Sequence, residues 1–204
     1  MTDDEIGKRL GDRKGGAPGD MTGDFSADLA GIDEARREHM IGTVRAYFDA
    51  CNAASPERFS AVLAAGCTHW FPPGTGGPYV GRDAIVDLWL KFVREKGSQW
   101  SIDRLVCDGR ELCIEWTHYK PLVGEIIRGS EWYTFDQDGK IDGIWAHYAA
   151  PRDAARAANE LEGYPYAEQG YAAAAPALPA AVAAERDTYL AAPRSAAPST
   201  GDRR

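Results

Sequence analysis

The hydrophobic residues between positions 33 and 52 recur at intervals of three and four. They form one apolar stripe, which comprises Met40, Ile41, Val44, Tyr47, Phe48 and Cys51. Such spacing predicts an amphipathic helix, and Asp33 is a suitable residue to cap its amino terminus. We therefore expect a first helix that begins after Asp33 and ends near Asn52.

Two more helices are predicted further along the chain. Ser55-Pro56 combines a capping side chain with a proline at the first helical position, which predicts a short helix through Leu63. Asp83 to Lys96 carries its apolar residues on one face, and Gly97 is a typical residue to end such a helix.

After Gly97 the apolar residues recur every second position, which is the period of a strand. Four strands are predicted in this way: Gln99–Cys107, Glu111–Lys120, Glu125–Phe135 and Lys140–Tyr148. Asp108-Gly109 and Asp138-Gly139 provide turn residues between neighbours, which favours antiparallel hairpins. A further short strand is expected over Cys67–Phe71, before the loop GTGGP. Three helices followed by an antiparallel meander indicate the α+β class.

The two ends of the chain lack a hydrophobic period. Residues 1–32 are rich in glycine, aspartate and charge, so we expect a disordered arm before a domain over residues 33–151. A helix over Asp153–Leu161 and the tyrosine-rich segment GYPYAEQGY form an extension over residues 152–171. Residues 172–204 are an Ala/Pro-rich tail in which a helix around Ala180–Leu190 would have little to bury.

The composition narrows the classes of partner. A net charge of −8 argues against a nucleic acid or an anionic membrane as partner, because both require a basic surface. There is no 18-residue apolar run and no apolar stretch near the charged amino terminus, so we expect neither a membrane span nor a secretory signal, and a cytoplasmic location. The four cysteines lack zinc-ligand spacing and are expected to be reduced, buried thiols.

Three stretches in this order resemble the NTF2-like, or SnoaL-like, superfamily: VRAYFDACNAASPERFSAVLAAGCTHWFPPG, YVGRDAIVDLW and EWYTFDQDGKIDGIWAHY. That superfamily includes ketosteroid isomerase, scytalone dehydratase, limonene epoxide hydrolase and polyketide cyclases. The resemblance implies a cone in which a curved antiparallel sheet wraps around three helices and leaves a pocket on its concave face. It also implies a homodimer formed through the convex face, near Trp132 and Trp145. Such folds host both enzymes and binding modules.

The resemblance also implies roles for individual residues. Tyr47 is similar in position to an oxyanion-binding tyrosine of ketosteroid isomerases, and Trp89 to a second, supporting tyrosine. Glu131 corresponds to the acid that shares the oxyanion in those enzymes. Phe71 stands where their general-base aspartate is expected, so steroid isomerisation with that base is not implied.

Alternation along the strands predicts which side chains face the pocket. Leu112, Ile114, Trp116 and His118 share one face, with Glu111 and Glu115 on the other. Glu131 lies in the row of Ile127, Gly129 and Tyr133, where an acid is costly to bury without a partner. His69 is expected on the same face as Phe71. Ile144 and Tyr148 are expected to face the pocket, and His147 the convex side.

These residues predict a site for proton transfer. A neutral imidazole can accept a proton, a buried carboxyl group can donate one, and a phenol can stabilise negative charge on an oxygen. The expected catalytic residues are Tyr47, His69, His118 and Glu131, and the expected substrate-binding residues are Phe71, Trp89, Trp116, Tyr133, Ile144 and Tyr148. We expect a cofactor-independent lyase or isomerase that acts on a hydrophobic, aromatic small molecule. Dehydration or formaldehyde-releasing cleavage of a lignin-derived diaryl compound are examples.

Other interpretations stay open at this stage. A histidine on an apolar strand is commonly a hydrogen-bonded core residue, Tyr47 could be plain helix core, and Glu131 could lie on the surface after a strand bulge. A metal site is disfavoured because His69 and His118 lie on different strands. A ligand carrier or adaptor module is the alternative function, and GYPYAEQGY could cover the pocket or contact a partner.

Overall fold

The computed structural model describes residues 33–72, 76–149 and 165–193. Within them the elements are α1 (Glu34–Ala53), α2 (Pro56–Val62), β1 (Leu63–Trp70), β2 (Tyr79–Val80), α3 (Arg82–Lys96), β3 (Gln99–Cys107), β4 (Leu112–Lys120), β5 (Glu125–Phe135), β6 (Ile141–His147) and α4 (Ala180–Ala191). The predicted α+β class is confirmed. The arm predicted over residues 1–32 and the helix predicted over Asp153–Leu161 lie outside the described residues.

The ends of the first three helices follow the local signals in the sequence. The side chains of Asp33 and Ser55 accept hydrogen bonds from the backbone N–H groups at the starts of α1 and α2, at 3.2 and 3.4 Å. Gly97 ends α3 in the left-handed region, with φ of 67°. The second helix stops at Val62, one residue earlier than predicted, because Leu63 is already extended and begins β1.

The strands form one open sheet in the order β2-β1-β6-β5-β4-β3. The predicted hairpins among β3, β4, β5 and β6 are antiparallel. Two features were not predicted: β2 adds a short antiparallel edge, and β1 runs parallel to β6. The helices α1 and α3 pack on one face of the sheet, where the largest buried side chains of the core meet.

The Ala-rich helix α4 packs against α1, and Val182 on it is only 3% exposed. Arg186 donates hydrogen bonds to the carbonyl oxygens of Asn52, Gly97 and Ser98, at 3.2, 2.8 and 2.8 Å. These carbonyls lie at the carboxyl ends of α1 and α3, where a cation is favourable. The expectation that this helix has little to bury is therefore wrong, because one arginine and one valine attach it to the domain.

The described part of the tyrosine-rich segment lies on the face of the sheet opposite the helices. The guanidinium carbon of Arg128 is 4.6 Å from the ring centre of Tyr166 and 5.3 Å from that of Tyr171. The hydroxyl of Tyr171 donates to Glu115 Oε2 at 2.6 Å. Residues 166–171 thus cover part of the convex face and do not cover the concave pocket.

Two further expectations concern the thiols and membranes. All four cysteines are free thiols; Cys51 and Cys67 are buried, while Cys107 and Cys113 are half-buried. No helix in the described ranges combines the length and the apolar character needed to cross a bilayer.

Candidate functional site

A narrow cavity of about 40 Å³ lies between the helices and the concave face of the sheet. Seven predicted site residues line it: Tyr47, Phe71, Trp89, Trp116, His118, Glu131 and Tyr148. Five residues that were not predicted complete the lining: Phe48, Cys51, Trp100, Lys120 and Ile127. The cavity wall is therefore mostly aromatic, with an acid, an imidazole and an ammonium group set into it.

Glu131 points inward from the middle of β5 and is 6% exposed. Its cross-strand neighbours are Ile114 on β4 and Ala146 on β6, so its surroundings are apolar. Tyr133 donates its hydroxyl hydrogen to Oε2 of this carboxylate. On the other side, Nε2 of His69 lies 3.5 Å from Oε1. The alternative in which Glu131 is a surface residue is thus wrong.

His69 is fully buried on β1, and its ring stacks on Phe71 with 4.0 Å between the ring centres. Among the described residues neither ring nitrogen has a hydrogen-bond partner, because 3.5 Å to Glu131 exceeds ordinary hydrogen-bond length. Protonation of the imidazole would turn this contact into an ion pair. His69 itself is not part of the cavity lining, so it can act on a ligand only through the carboxylate.

Tyr47 is 2% exposed, and its hydroxyl oxygen accepts a hydrogen bond from Trp89 Nε1 at 2.8 Å. A hydroxyl that accepts one bond still has its own hydrogen to donate. Burial raises the pKa of Tyr47 well above its ordinary value, and the neighbouring Glu131 carboxyl group adds to the effect. Tyr47 is therefore a neutral phenol, and the indole N–H of Trp89 is bonded to its oxygen.

His118 lies on the same cavity, with Nε2 hydrogen-bonded to Ser98 Oγ at 2.8 Å. Its ring stacks on Trp100, with 4.4 Å between the centres. Burial lowers the pKa of His118 well below its ordinary value, and the positive charges of Lys120 and Lys96 lower it further. The imidazole is thus neutral at neutral pH and keeps one lone pair, either for Ser98 or for a ligand proton.

Tyr133 and Ile144 are 1% and 0% exposed and are absent from the described lining of the cavity. Burial raises the pKa of Tyr133 well above its ordinary value, with the negative charge of Glu131 as the next cause. Tyr133 therefore acts as a neutral donor to the acid rather than as a wall. The signal for this role was present in the sequence, since positions 131 and 133 share one face of the strand.

Two packing features shape the cavity. A Cβ atom at Gly129 would come within 2.7 Å of Trp116 Cζ2 and 2.8 Å of Tyr148 Cβ, so only glycine admits these two rings. The backbone of Trp100 is held by the side chain of Asn52. The amide oxygen of Asn52 accepts a hydrogen bond from the backbone N–H of Trp100 at 2.8 Å, and its amide nitrogen donates one to the backbone C=O at 2.9 Å. Strand alternation could have identified Lys120 as an inward residue, because it follows His118 by two, whereas the inward position of Trp100 depends on its pairing with His118 across the sheet.

The convex face carries three neighbouring tryptophans. Trp145 on β6 is paired with Trp132 on β5 and with Trp70 on β1. Trp132 and Trp70 are 45% and 38% exposed, and the rings of Trp70 and Trp145 stack with 4.6 Å between their centres. His147 is exposed beside them. Burial alternates along β6 as predicted, with Ile144 and Ala146 buried and His147 exposed, although Ile144 does not line the cavity.

Comparisons with known proteins agree with the fold described above. A sequence profile of the SnoaL-like domain matches residues 44–144. A protein of unknown function with a cystatin-like fold from Methylobium petroleophilum PM1 is 37% identical, with a TM-score of 0.54 over 71% of this chain and 97% of its own. A protein proposed to be a ketosteroid isomerase from Kribbella flavida DSM 17836 is 20% identical, with a TM-score of 0.50 over 57% of this chain and 82% of its own. A comparison with curated proteins finds no match.

Proposed function

The chain belongs to the SnoaL-like family of the NTF2-like superfamily, and from this premise we propose that it is a cofactor-independent lyase or isomerase. The proposed reaction is acid/base proton transfer on a hydrophobic, aromatic small molecule. One observation carries the proposal. Glu131 lines an aromatic cavity and is held there between Tyr133 and His69. Burying a carboxyl group in an apolar wall costs free energy, and a single hydrogen bond, from Tyr133, compensates only part of that cost, which favours a functional role for the acid.

In the proposed mechanism Tyr47 and Glu131 act on an oxygen atom of the substrate. The Tyr47 hydroxyl donates a hydrogen bond to that oxygen, and its orientation is supported by Trp89. Glu131 exchanges a proton with the same oxygen, and Tyr133 steadies the carboxylate form. His69 is a positioning residue, which packs against the carboxyl group with Nε2 3.5 Å from Oε1.

His118 is the proposed base. Burial and two nearby ammonium groups keep its pKa low, so the imidazole is unprotonated at neutral pH. The same effects make it a weak base, so it suits removal of an acidic proton, such as one on a carbon next to a carbonyl group. Its hydrogen bond to Ser98 also suits a purely structural residue. Substitution of His118 therefore has to be assayed for turnover and for ligand binding separately, in order to decide between a catalytic and a structural role.

The cavity favours a small substrate. A volume of about 150 Å³ holds benzene in a protein interior, whereas this cavity measures about 40 Å³. A single ring enters when the half-buried side chains of Phe71 and Tyr148, both in the lining, move aside. A diaryl compound requires larger movements, so we propose substrates with one ring.

The test is a screen of one-ring aromatic alcohols and ketones for dehydration, double-bond migration or exchange of carbon-bound hydrogen in deuterium oxide. For the best substrate, Glu131→Gln should lower kcat by at least about a hundredfold while ligand affinity is retained. His118→Ala should show the same separation of turnover from binding. Glu111→Gln is the matched control, because Glu111 is exposed and lies on the other face of the sheet.

The alternative function, a binding module without catalysis, predicts a different outcome. Ligands would bind, and no member of the screen would be converted by the unmodified protein. Turnover that persists in both Glu131→Gln and His118→Ala would refute the mechanism even if the protein proved to be an enzyme.

We further propose that two copies associate through the convex face, with Trp132, Trp145 and Trp70 in the contact. Exposed aromatic side chains that adjoin one another commonly mark an interaction surface. Trp132→Ser should shift the mass measured by light scattering from dimer towards monomer. Leu122→Ser is the control, because Leu122 is 69% exposed in the turn between β4 and β5. If the unsubstituted protein is a monomer, the proposed dimer is refuted.

A further inference from the structure

Lys120 is a buried cation in the wall of the cavity. It is the last residue of β4, two positions after His118, and it faces the same side of the sheet. Of the lysines within the described ranges, it alone is buried, with 6% of its surface exposed. An ammonium group is costly to remove from water unless charges or hydrogen bonds compensate it.

The compensation that the chain itself provides is small. Lys120 Nζ lies 3.1 Å from Glu125 Oε2, and the side chain of Glu125 is 47% exposed. Ion pairs with such an exposed partner contribute little. An ammonium group has three hydrogens to donate, and the described residues supply no second acceptor for it. The remaining donors are therefore available to a ligand.

The charges are distributed unevenly along the cavity. Glu131 pairs with Ile114 on β4, whereas Lys120 follows Ile114 by six residues on that strand. The only titratable group of the lining that lies between them on β4 is the imidazole of His118. Lys96, whose Nζ lies 5.2 Å from the ring centre of Phe92, adds a second positive charge near that imidazole. Along β4 the acid of the lining thus lies opposite Ile114, whereas the positive charges lie towards the carboxyl end of the strand.

We propose that Lys120 binds a carboxylate of the substrate, so that the molecules which this cavity accepts are small carboxylic acids with an apolar or aromatic body. The inference rests on the proposed function only for the choice of cavity. A monoanion matches Lys120, whose ammonium group is the one in the cavity lining, and the aromatic wall of Phe48, Phe71 and Trp100 suits the body. A neutral ligand would leave the buried charge with the half-exposed Glu125 as its sole anionic partner among the described residues.

The experiment measures binding without turnover. Acetate and benzoate are titrated against the protein, with acetamide and benzamide as neutral counterparts, and the indole N–H resonance of Trp116 reports occupancy. At least one of the acids should bind about tenfold more tightly than its amide, as expected for a charge-assisted hydrogen bond. Equal affinities of acid and amide, or no measurable binding of either acid, would overturn the proposal.

Substitutions identify the group responsible. Lys120→Met should abolish the preference for the acid and leave the affinity for the amide unchanged, whereas Lys91→Met, at an exposed position on α3, should alter neither. Glu125→Gln should increase the preference because it removes the competing carboxylate. This second variant decides the matter if Lys120→Met does not fold, and an unchanged preference in Glu125→Gln then contradicts the proposal.

Two further outcomes separate related ideas. Inorganic phosphate should compete with the acid only weakly, and competition at equal concentration would overturn the assignment to a monoanion. Selectivity for the acid that persists while Glu131→Gln and His118→Ala leave turnover unaffected would refute the proposed mechanism and support the carboxylate site. Turnover that depends on Glu131, together with equal affinity for the acid and its amide, would support the proposed mechanism and refute the carboxylate site.

Discussion

His69 on β1 and Glu131 on β5 are brought within 3.5 Å of each other, although β6 lies between their strands. Both side chains project to the concave face, and the small side chain of Ala146, opposite Glu131 on β6, leaves room for the approach. The pair links the outer part of the sheet to the acid of the cavity. The carboxylate is also held by Tyr133, and substitution of that residue tests how much its orientation matters.

Tyr133→Phe removes the hydroxyl that donates to Glu131. A buried hydrogen bond to a charged acceptor contributes about 1–3 kcal/mol, so the free energy of unfolding should fall by that amount in chemical denaturation. Turnover should fall as well, because the carboxylate loses a fixed orientation. A variant that is as stable and as active as the parent would show that this bond has no role.

Gly129→Ala should destabilise the domain. The added methyl group would meet Trp116 and Tyr148, and also the His147 carbonyl oxygen at 2.9 Å, so side chains or backbone must shift. Overpacking of this kind costs about 1–3 kcal/mol, measurable in a denaturant titration.

The matched control for that substitution is Gly42→Ala. Gly42 lies in the middle of α1, is exposed, and has no atom within 4 Å of an added Cβ. Alanine is the better helix former by about 0.5–1 kcal/mol, so this variant should be more stable than the parent. Equal effects of the two substitutions would contradict the packing argument.

Arg186→Met should weaken the attachment of α4. The substitution leaves three carbonyl oxygens, those of Asn52, Gly97 and Ser98, without their donor. We expect the free energy of unfolding to fall by about 3 kcal/mol. Hydrogen exchange at the backbone amides of α4 should also accelerate. Arg45→Met, at an exposed position on α1, is the control and should change neither quantity.

His118 should make stability depend on pH. In the unfolded chain it binds a proton near pH 6.5, while burial delays protonation of the folded protein to a lower pH. Below about pH 6.5 the unfolded state therefore binds more protons, and the free energy of unfolding falls as the pH decreases towards the folded pKa. Above about pH 6.5, where neither state binds this proton, the stability is not reduced by His118.

The ring protons of His118 in an NMR titration give a direct measurement. They should titrate well below pH 6.5, and His118→Gln should reduce the loss of stability on acidification. An ordinary midpoint for His118, or an unchanged loss of stability in the variant, would contradict the assignment.

Residues whose position follows from local alternation could be predicted from the sequence. The two-residue period along β4 and β5 places His118 and Glu131 on the concave face, and the stripe along α1 places Tyr47 against them. These predictions need no knowledge of which strands are neighbours. They follow because one face of the sheet has to be apolar.

Residues whose role depends on distant parts of the chain could not be predicted. The contact of His69 with Glu131 requires β1 to lie parallel to β6, and no local pattern encodes that pairing. Arg186 reaches carbonyl groups 134 and 88 positions earlier in the chain, for Asn52 and Ser98. The surrounding Ala-rich composition resembles that of a solvated tail, so a single arginine gives no signal of this attachment.

The position of β6 in the sheet has a consequence for synthesis. Within the described sheet, β1 and β2 are linked to the other strands only through β6, which is the last of these six strands to leave the ribosome. Until then the early hairpin exposes its unpaired backbone N–H and C=O groups to other nascent chains. Fragments that stop before Ile141 should therefore aggregate, whereas those that include His147 have every strand needed to complete the sheet.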